Sequence, residues 1–224
     1  MLLVNNMMRR TTSLWGRPPS RYYALLKRVQ SIKDACDTRM AVLGCCDGKF
    51  VLPAARRGMT VLAVDVDEIS LFGGTKIGPN GPVHMPGLQA RLEAEGLSDR
   101  VHIVHDDLAR FEAEPTSDVV ITSGALQYSR NMVHAMDGMV AQVQGHAASG
   151  GIVYVDYMLP LEKRYVGRDN YPGRARWATY FAGNDWIVIS HRVLPPQFEA
   201  AHVDLPIDHE HHWGHLMAQR VPHA

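Results

Sequence analysis

The residues best placed to do chemistry in this chain gather around one short turn. Gly44, Cys45, Cys46, Asp47 and Gly48 lie where the apolar run Met40–Gly44 ends, and a second apolar run, Met59–Asp67, carries Asp65 at 21 residues beyond Gly44. Strand, glycine turn, helix, strand and acid, at this interval, are the order of a nucleoside-binding unit. A carboxylate at Asp65 can accept hydrogen bonds from both hydroxyls of a ribose. Its charge would repel a 2′-phosphate, which disfavours NADP. The turn lacks the G-x-G-x-x-G of a dinucleotide-binding dehydrogenase. Its two cysteines are read as small apolar residues packed under the turn rather than as nucleophiles. With Cys36 they make three, an odd count with no Cys-x-x-Cys spacing, so neither a disulfide framework nor a thiolate metal site is expected.

The second group is histidine. Six of the twelve, His202, His209, His211, His212, His215 and His223, fall in the last 24 residues. With Asp204 and Asp208 they are ligand types for zinc or iron. On a strand, His211 and His215 share a face and His212 takes the other. The favoured reading is a polar substrate wall or a buried hydrogen-bond network; a metal site is the less favoured alternative, and no metal ligand is assigned.

Further candidates follow the later apolar runs. Tyr128 and Asn131 suit either orientation of a substrate amine or carboxylate, or the plainer roles of core tyrosine and helix cap. Arg164, Arg168, Arg174 and Arg176, with Tyr165 and Tyr171 among them, suit a carboxylate gripped by two-pronged contacts, or a solvated helix face. Trp15 and Tyr22 suit either a lid whose aromatic faces attract a cation or ordinary packing.

The elements that must position these groups are readable from periodicity. Ser20 is placed to cap a helix whose apolar positions Tyr22, Leu25, Leu26, Val29 and Ile32 recur at helical steps. Residues 71–87, rich in Gly and Pro, predict a long loop. A short helix carrying Leu88 and Leu92 follows. Later strands are predicted at Val101–Asp107, from Asp118, from Gly150, from Asp185 and from His211, with a helix over Met132–Val143. Strands alternating with helices give an α/β sheet covered on both faces. The last two strands have no helix between them and should pair antiparallel.

The 224 residues are 46% hydrophobic, enough for one real core, and the charges balance at 23 against 23. That balance gives no reason to expect a nucleic-acid or membrane partner. No run is long enough to span a bilayer, and the apolar start of "MLLVNNMMRR" is too short for a signal segment. A cytoplasmic protein, with a homodimer left open, is the expectation.

The order of elements resembles the class I S-adenosylmethionine-dependent methyltransferases over roughly residues 40–220. "VLGCCDGKFVLPAARRG" is similar to the family's glycine motif, "AVDVD" to its second motif, "VHDDL" to its third and "ITSGALQYS" to its fourth. Two departures stand out: Val42 replaces the usual acid before the first glycine, and Cys46 replaces the middle glycine. Asp47 either stands in for that acid or caps the next helix. The resemblance implies a Rossmann-like fold, a seven-stranded, mostly parallel sheet with an antiparallel last hairpin. It implies a catalytic domain over residues 37–224, with residues 1–36 as an N-terminal extension and helical lid. It implies S-adenosylmethionine as cofactor, held by Gly44, Cys45, Asp47, Gly48, Asp65, Val66, Asp106, Asp107, Leu108, Ser123 and Gly124. Asp106 or Asp107 would receive the adenine amino group, and the small residues Ser123 and Gly124 would leave room for the methionyl end.

Methyl transfer to a small molecule, as in secondary-metabolite biosynthesis, is the reading this favours. A second reading is cyclisation of the cofactor itself to azetidine-2-carboxylate with release of methylthioadenosine, the tail bent by Asn131, Tyr165, Tyr171 and Ser190. The third is a domain that binds without turnover. Tyr128, His191 and the histidines of the last hairpin are the candidate bases.

Overall fold

The structure, a computed structural model, describes residues 13–112, 116–128, 134–160, 171–203, 205 and 207–222; of Tyr128 only the backbone is described. Asn131, Arg164, Tyr165 and Arg168 lie outside the described residues.

Helix α1 (Ser20–Gln30) leads into β1 (Arg39–Leu43), α2 (Val51–Ala55), β2 (Thr60–Asp65) and α3 (Glu68–Phe72). A hairpin of β3 (Gly74–Gly78) and β4 (Gly81–Met85) follows, then α4 (Gly87–Glu95), β5 (Val101–His105) and β6 (Ser117–Ser123). The chain closes with α5 (Ala125–Tyr128), α6 (Met136–Gly145), β7 (Ala147–Leu159), α7 (Arg174–Tyr180), β8 (Trp186–Val193), β9 (Gln197–Glu199) and β10 (His209–Arg220).

The main sheet runs β5-β2-β1-β6-β7-β10-β8, and β9 adds to β10 as an eighth strand. The first five in that order are parallel, and β10 is antiparallel to β7, β8 and β9. Period-two alternation divides the strands between two cores. Met40 and Val42 of β1, Val119 and Ile121 of β6 and Tyr154 of β7 pack with α1, α2 and α4. Ala41, Leu43, Val120, Val153 and Val155 pack with α5, α6 and α7 on the other face. Among the described residues no helix is long and apolar enough to cross a membrane.

Several expectations need correcting. Residues 71–87 are not a loop: they finish α3, form the separate β3–β4 hairpin and begin α4. The strand count rises accordingly, to eight in the main sheet and two in the hairpin. Ser20 does not cap α1; Pro19 holds that position without a side-chain hydrogen bond. Four of the five apolar positions of α1 are buried, but Ile32 lies past the helix end and is 73% exposed. Tyr22 is no lid: it is fully buried, stacks edge-on against Phe50, and its hydroxyl donates to the Phe50 carbonyl.

Candidate active site at the carboxyl edge of the sheet

The glycine turn is shaped by its backbone. Gly44 takes φ +78°, and a Cβ there would meet the Ala125 Cβ at 2.1 Å. Glycine is therefore required by the approach of α5. Cys46 keeps the left-handed conformation of the glycine it replaces, at φ +47°. Its Sγ receives the Trp15 indole N–H and lies near the Ser70 hydroxyl. Burial pushes the Cys46 thiol up to about 12, so it stays protonated and unreactive.

Asp65 stands beside this turn because β1 and β2 pair in parallel register and end together. Its carboxylate accepts the N–H of Cys46 at 2.7 Å and of Asp67 at 2.9 Å. Burial raises its pKa, against the lowering pull of those two donors. Asp67 caps α3 and pairs with Lys76 from the hairpin. The β3–β4 segment thus braces the acid-bearing loop.

The opposite wall is assembled from side-chain charges. Parallel register sets Ser123 of β6 opposite Asp156 of β7, and antiparallel register sets Asp156 opposite His215 of β10. Asp156 is almost fully buried and receives Arg21 of α1 through two nitrogens, at 2.9 and 3.3 Å. His215 Nδ1 lies 2.9 Å from Oδ1, which Arg21 Nε also reaches, and the Tyr154 hydroxyl donates to Oδ2 at 2.9 Å. Burial works to raise this carboxyl, but the hydrogen bonds from His215 and Arg21 prevail and hold it below the ordinary range.

Between the two walls is a cavity of about 490 Å³, within the size range of small-molecule sites. Gly44, Cys45, Asp65, Val66, Ser123 and Gly124 line it, joined by Trp15, Arg21, Lys49, Phe50, Asp156, Glu199, His211 and Trp213. Lys49, next after Gly48, makes no hydrogen bond or ion pair with any described residue, and burial lowers its pKa. Its ammonium lies over the Phe50 ring, 5.6 Å from the centroid, and it is the one substantially buried cation on this lining that has no hydrogen bond or ion pair among the described residues.

Other expected site residues lie elsewhere. Asp47 turns away from the cavity, accepting from Ser13 and Leu14 and pairing with Arg91 of α4 at 3.0 Å. It neither replaces the missing acid in the cavity nor caps α2, whose N-cap is Phe50. Gly48 and Leu108 are outside the lining, and Leu108 belongs to the core. Asp106 and Asp107 follow β5 at the same edge, but the cavity stops short of them; Asp107 accepts from Ala109 instead. Tyr171 and Ser190 do not line the cavity. Arg174 reaches the His191 carbonyl and Arg176 pairs with Asp137, both at exposed positions. His191 is bonded to Tyr157 at 2.6 Å and does not line the cavity.

Sequence reasoning missed Lys49, Arg21 and Asp156. One signal was available for Asp156: like Asp65, it is an acid near the end of an apolar strand, in "VYVDYM". Lys49 follows the quoted turn directly. Arg21 had no local signal.

The strand order, the antiparallel last strands and the cavity at the carboxyl edge define the Rossmann-like α/β fold of the class I methyltransferases. No family model and no curated protein matches this chain. Among solved structures it is similar to magnesium protoporphyrin IX methyltransferase (ChlM) from Synechocystis PCC 6803 with bound SAM, at TM-score 0.63 and 13% identity over 98% of this chain and 96% of that one. It is similar to the N-methyltransferase NodS from Bradyrhizobium japonicum WM9, at TM-score 0.60 and 15% identity over 91% and 96% of the two chains. It also resembles TehB from Haemophilus influenzae, at TM-score 0.62 and 14% identity; the match covers 88% of this chain and spans 61% of that one.

Proposed function

We propose that this protein binds S-adenosylmethionine in the cavity and transfers its methyl group to a small-molecule nucleophile. The observation that carries the reading is Asp65, held by two backbone N–H groups at the rim of a nucleoside-sized cavity in a methyltransferase fold. The residues present fit that cofactor. Asp65 would take the ribose hydroxyls, and Val66 would lie along the purine. The small residues Ser123, Gly124 and Ala125 leave room for the methionyl end. When bound, the cofactor supplies a methyl group on a cationic sulfur that an in-line nucleophile can displace.

Asp156 is already saturated by Arg21, His215 and Tyr154. Lys49 is not, so it is the group we assign to the methionyl carboxylate. In this chain a cation on the glycine turn does part of the tail-holding work, while the acid usual at position 42 is a buried valine. Trp15, Phe50 and Trp213 exclude water, and their ring faces suit a sulfonium. A small acceptor fits the zero net charge and the absence of basic excess.

The test is a product analysis. S-adenosylhomocysteine formed only when candidate acceptors are added supports the proposal. Methylthioadenosine from S-adenosylmethionine alone would defeat it, and azetidine-2-carboxylate found in equal amount would establish the cyclisation instead. Saturable binding with neither product would leave a binding protein.

A further inference from the structure

The last two strands hold a second constellation that the nucleoside site does not use. Glu199 of β9 and His209 of β10 are direct register partners, and His211 follows two residues along the same strand. Alternation therefore puts all three on one face. His211 Nε2 lies 2.9 Å from Glu199 Oε2 and 2.9 Å from His209 Nε2, and His209 Nε2 lies 3.3 Å from the same Glu199 oxygen. His202 brings a further Nε2 to 3.8 Å from it. It is the only such group of potential metal ligands among the described residues.

From this geometry we infer that Glu199, His209 and His211 form a binding site for a divalent first-row metal ion, with zinc as the reference ion, at the mouth of the cavity. Ligands about 2.0–2.2 Å from one ion stand about 2.9 Å apart when mutually at right angles and about 3.3 Å apart in a tetrahedron. The three separations fall at those values. Two imidazoles and one carboxylate are a donor set that zinc and ferrous iron take, with positions left for a further ligand. His209 is also prepared for the role. Its Nδ1 lies 2.9 Å from the Ile207 carbonyl, which can only accept, so Nδ1 carries a hydrogen there and Nε2 is the ring nitrogen that faces His211 and Glu199. Glu199 and His211 line the cavity, so the remaining positions open toward it.

A metal here would hold the oxygen, nitrogen or sulfur of an acceptor beside the methyl donor. That role rests on the proposed methyl transfer; the metal site itself does not.

The experiment uses full-length, untagged protein stripped with chelator, titrated calorimetrically with zinc chloride and, separately, with S-adenosylmethionine. The expected result is one zinc per chain, with affinity lowered at least about 100-fold in both Glu199→Gln and His211→Ala. His212→Ala, at a half-buried residue that pairs with Glu210 and takes no part in the cluster, should bind zinc as the wild type does. Cobalt substitution should give visible absorption bands of a low-coordinate site in the wild type, lost in His211→Ala. No stoichiometric zinc, or equal binding by the Glu199 and His211 variants, overturns the inference. Zinc bound without S-adenosylmethionine upholds the metal site and defeats the methyl-transfer reading. S-adenosylmethionine bound without zinc overturns the metal site and leaves the methyl-transfer reading standing for the product analysis.

Discussion

The two walls of the cavity are built by opposite means. The β1–β2 wall is largely backbone: a left-handed glycine, a cysteine forced into a glycine's conformation, and N–H groups aimed at Asp65. The β7–β10 wall is side-chain charge drawn from distant parts of the chain, with Arg21 and His215 meeting on Asp156. The first wall should fail chiefly through sterics. The second should fail through unpaired charge and be sensitive to pH.

Gly44→Ala is the largest expected break in the first wall. The added Cβ collides with Ala125, and the positive φ adds strain, together about 3 kcal/mol. The denaturation midpoint should fall accordingly, and Ala125→Gly added to it should restore part of the loss.

Asp156→Asn is the counterpart in the second wall. It leaves Arg21 and His215 facing an uncharged amide, at a cost of about 2–3 kcal/mol near pH 7 once the partial exposure of Arg21 is allowed for. The folded pKa of Asp156 is lowered, so its stabilising contribution is present above the ordinary carboxylate pKa and is lost as pH falls through the lowered value. Denaturation curves of wild type and variant should therefore converge in acid, and a constant gap would contradict the charge account.

Lys49→Met should separate stability from function. Burial lowers the Lys49 pKa, so the folded state carries an unfavourable charge below that value, and the penalty fades as pH rises toward the unfolded value. The variant should melt higher than wild type near pH 7, with the gain shrinking in alkali. Its affinity for S-adenosylmethionine should fall about tenfold.

The smallest effect is at Cys46. Cys46→Gly relieves the positive φ but loses the contacts to Trp15 and Ser70, a net change within about 1 kcal/mol. Cys46→Val, β-branched at the same φ, should be clearly worse in a urea titration.

This contrast also explains what was legible in the sequence. Gly44 and Asp65 are 21 positions apart, across one short helix and one strand, so spacing alone brings them together. Arg21 and Asp156 are 135 residues apart and meet only because α1 packs on the sheet. The β3–β4 hairpin was hidden by its composition. Gly73 and Gly87 signal a loop, yet they are needed where α3 and α4 cross closely enough for a Cβ to strike backbone. Asp47 looked like a ligand residue because it sits in the turn, but the local fold turns it toward Arg91. The face shared by His211 and His215 was readable from alternation, whereas the meeting of His209 and His211 with Glu199 depends on a three-residue strand too short to stand out.

The most direct test is calorimetric titration of S-adenosylmethionine into the wild type and Asp65→Asn, with circular dichroism confirming that the variant is folded. The account predicts one saturable site in the wild type and an affinity lowered at least about tenfold in the variant. No binding by the wild type, or equal affinity in a folded Asp65→Asn, would contradict it.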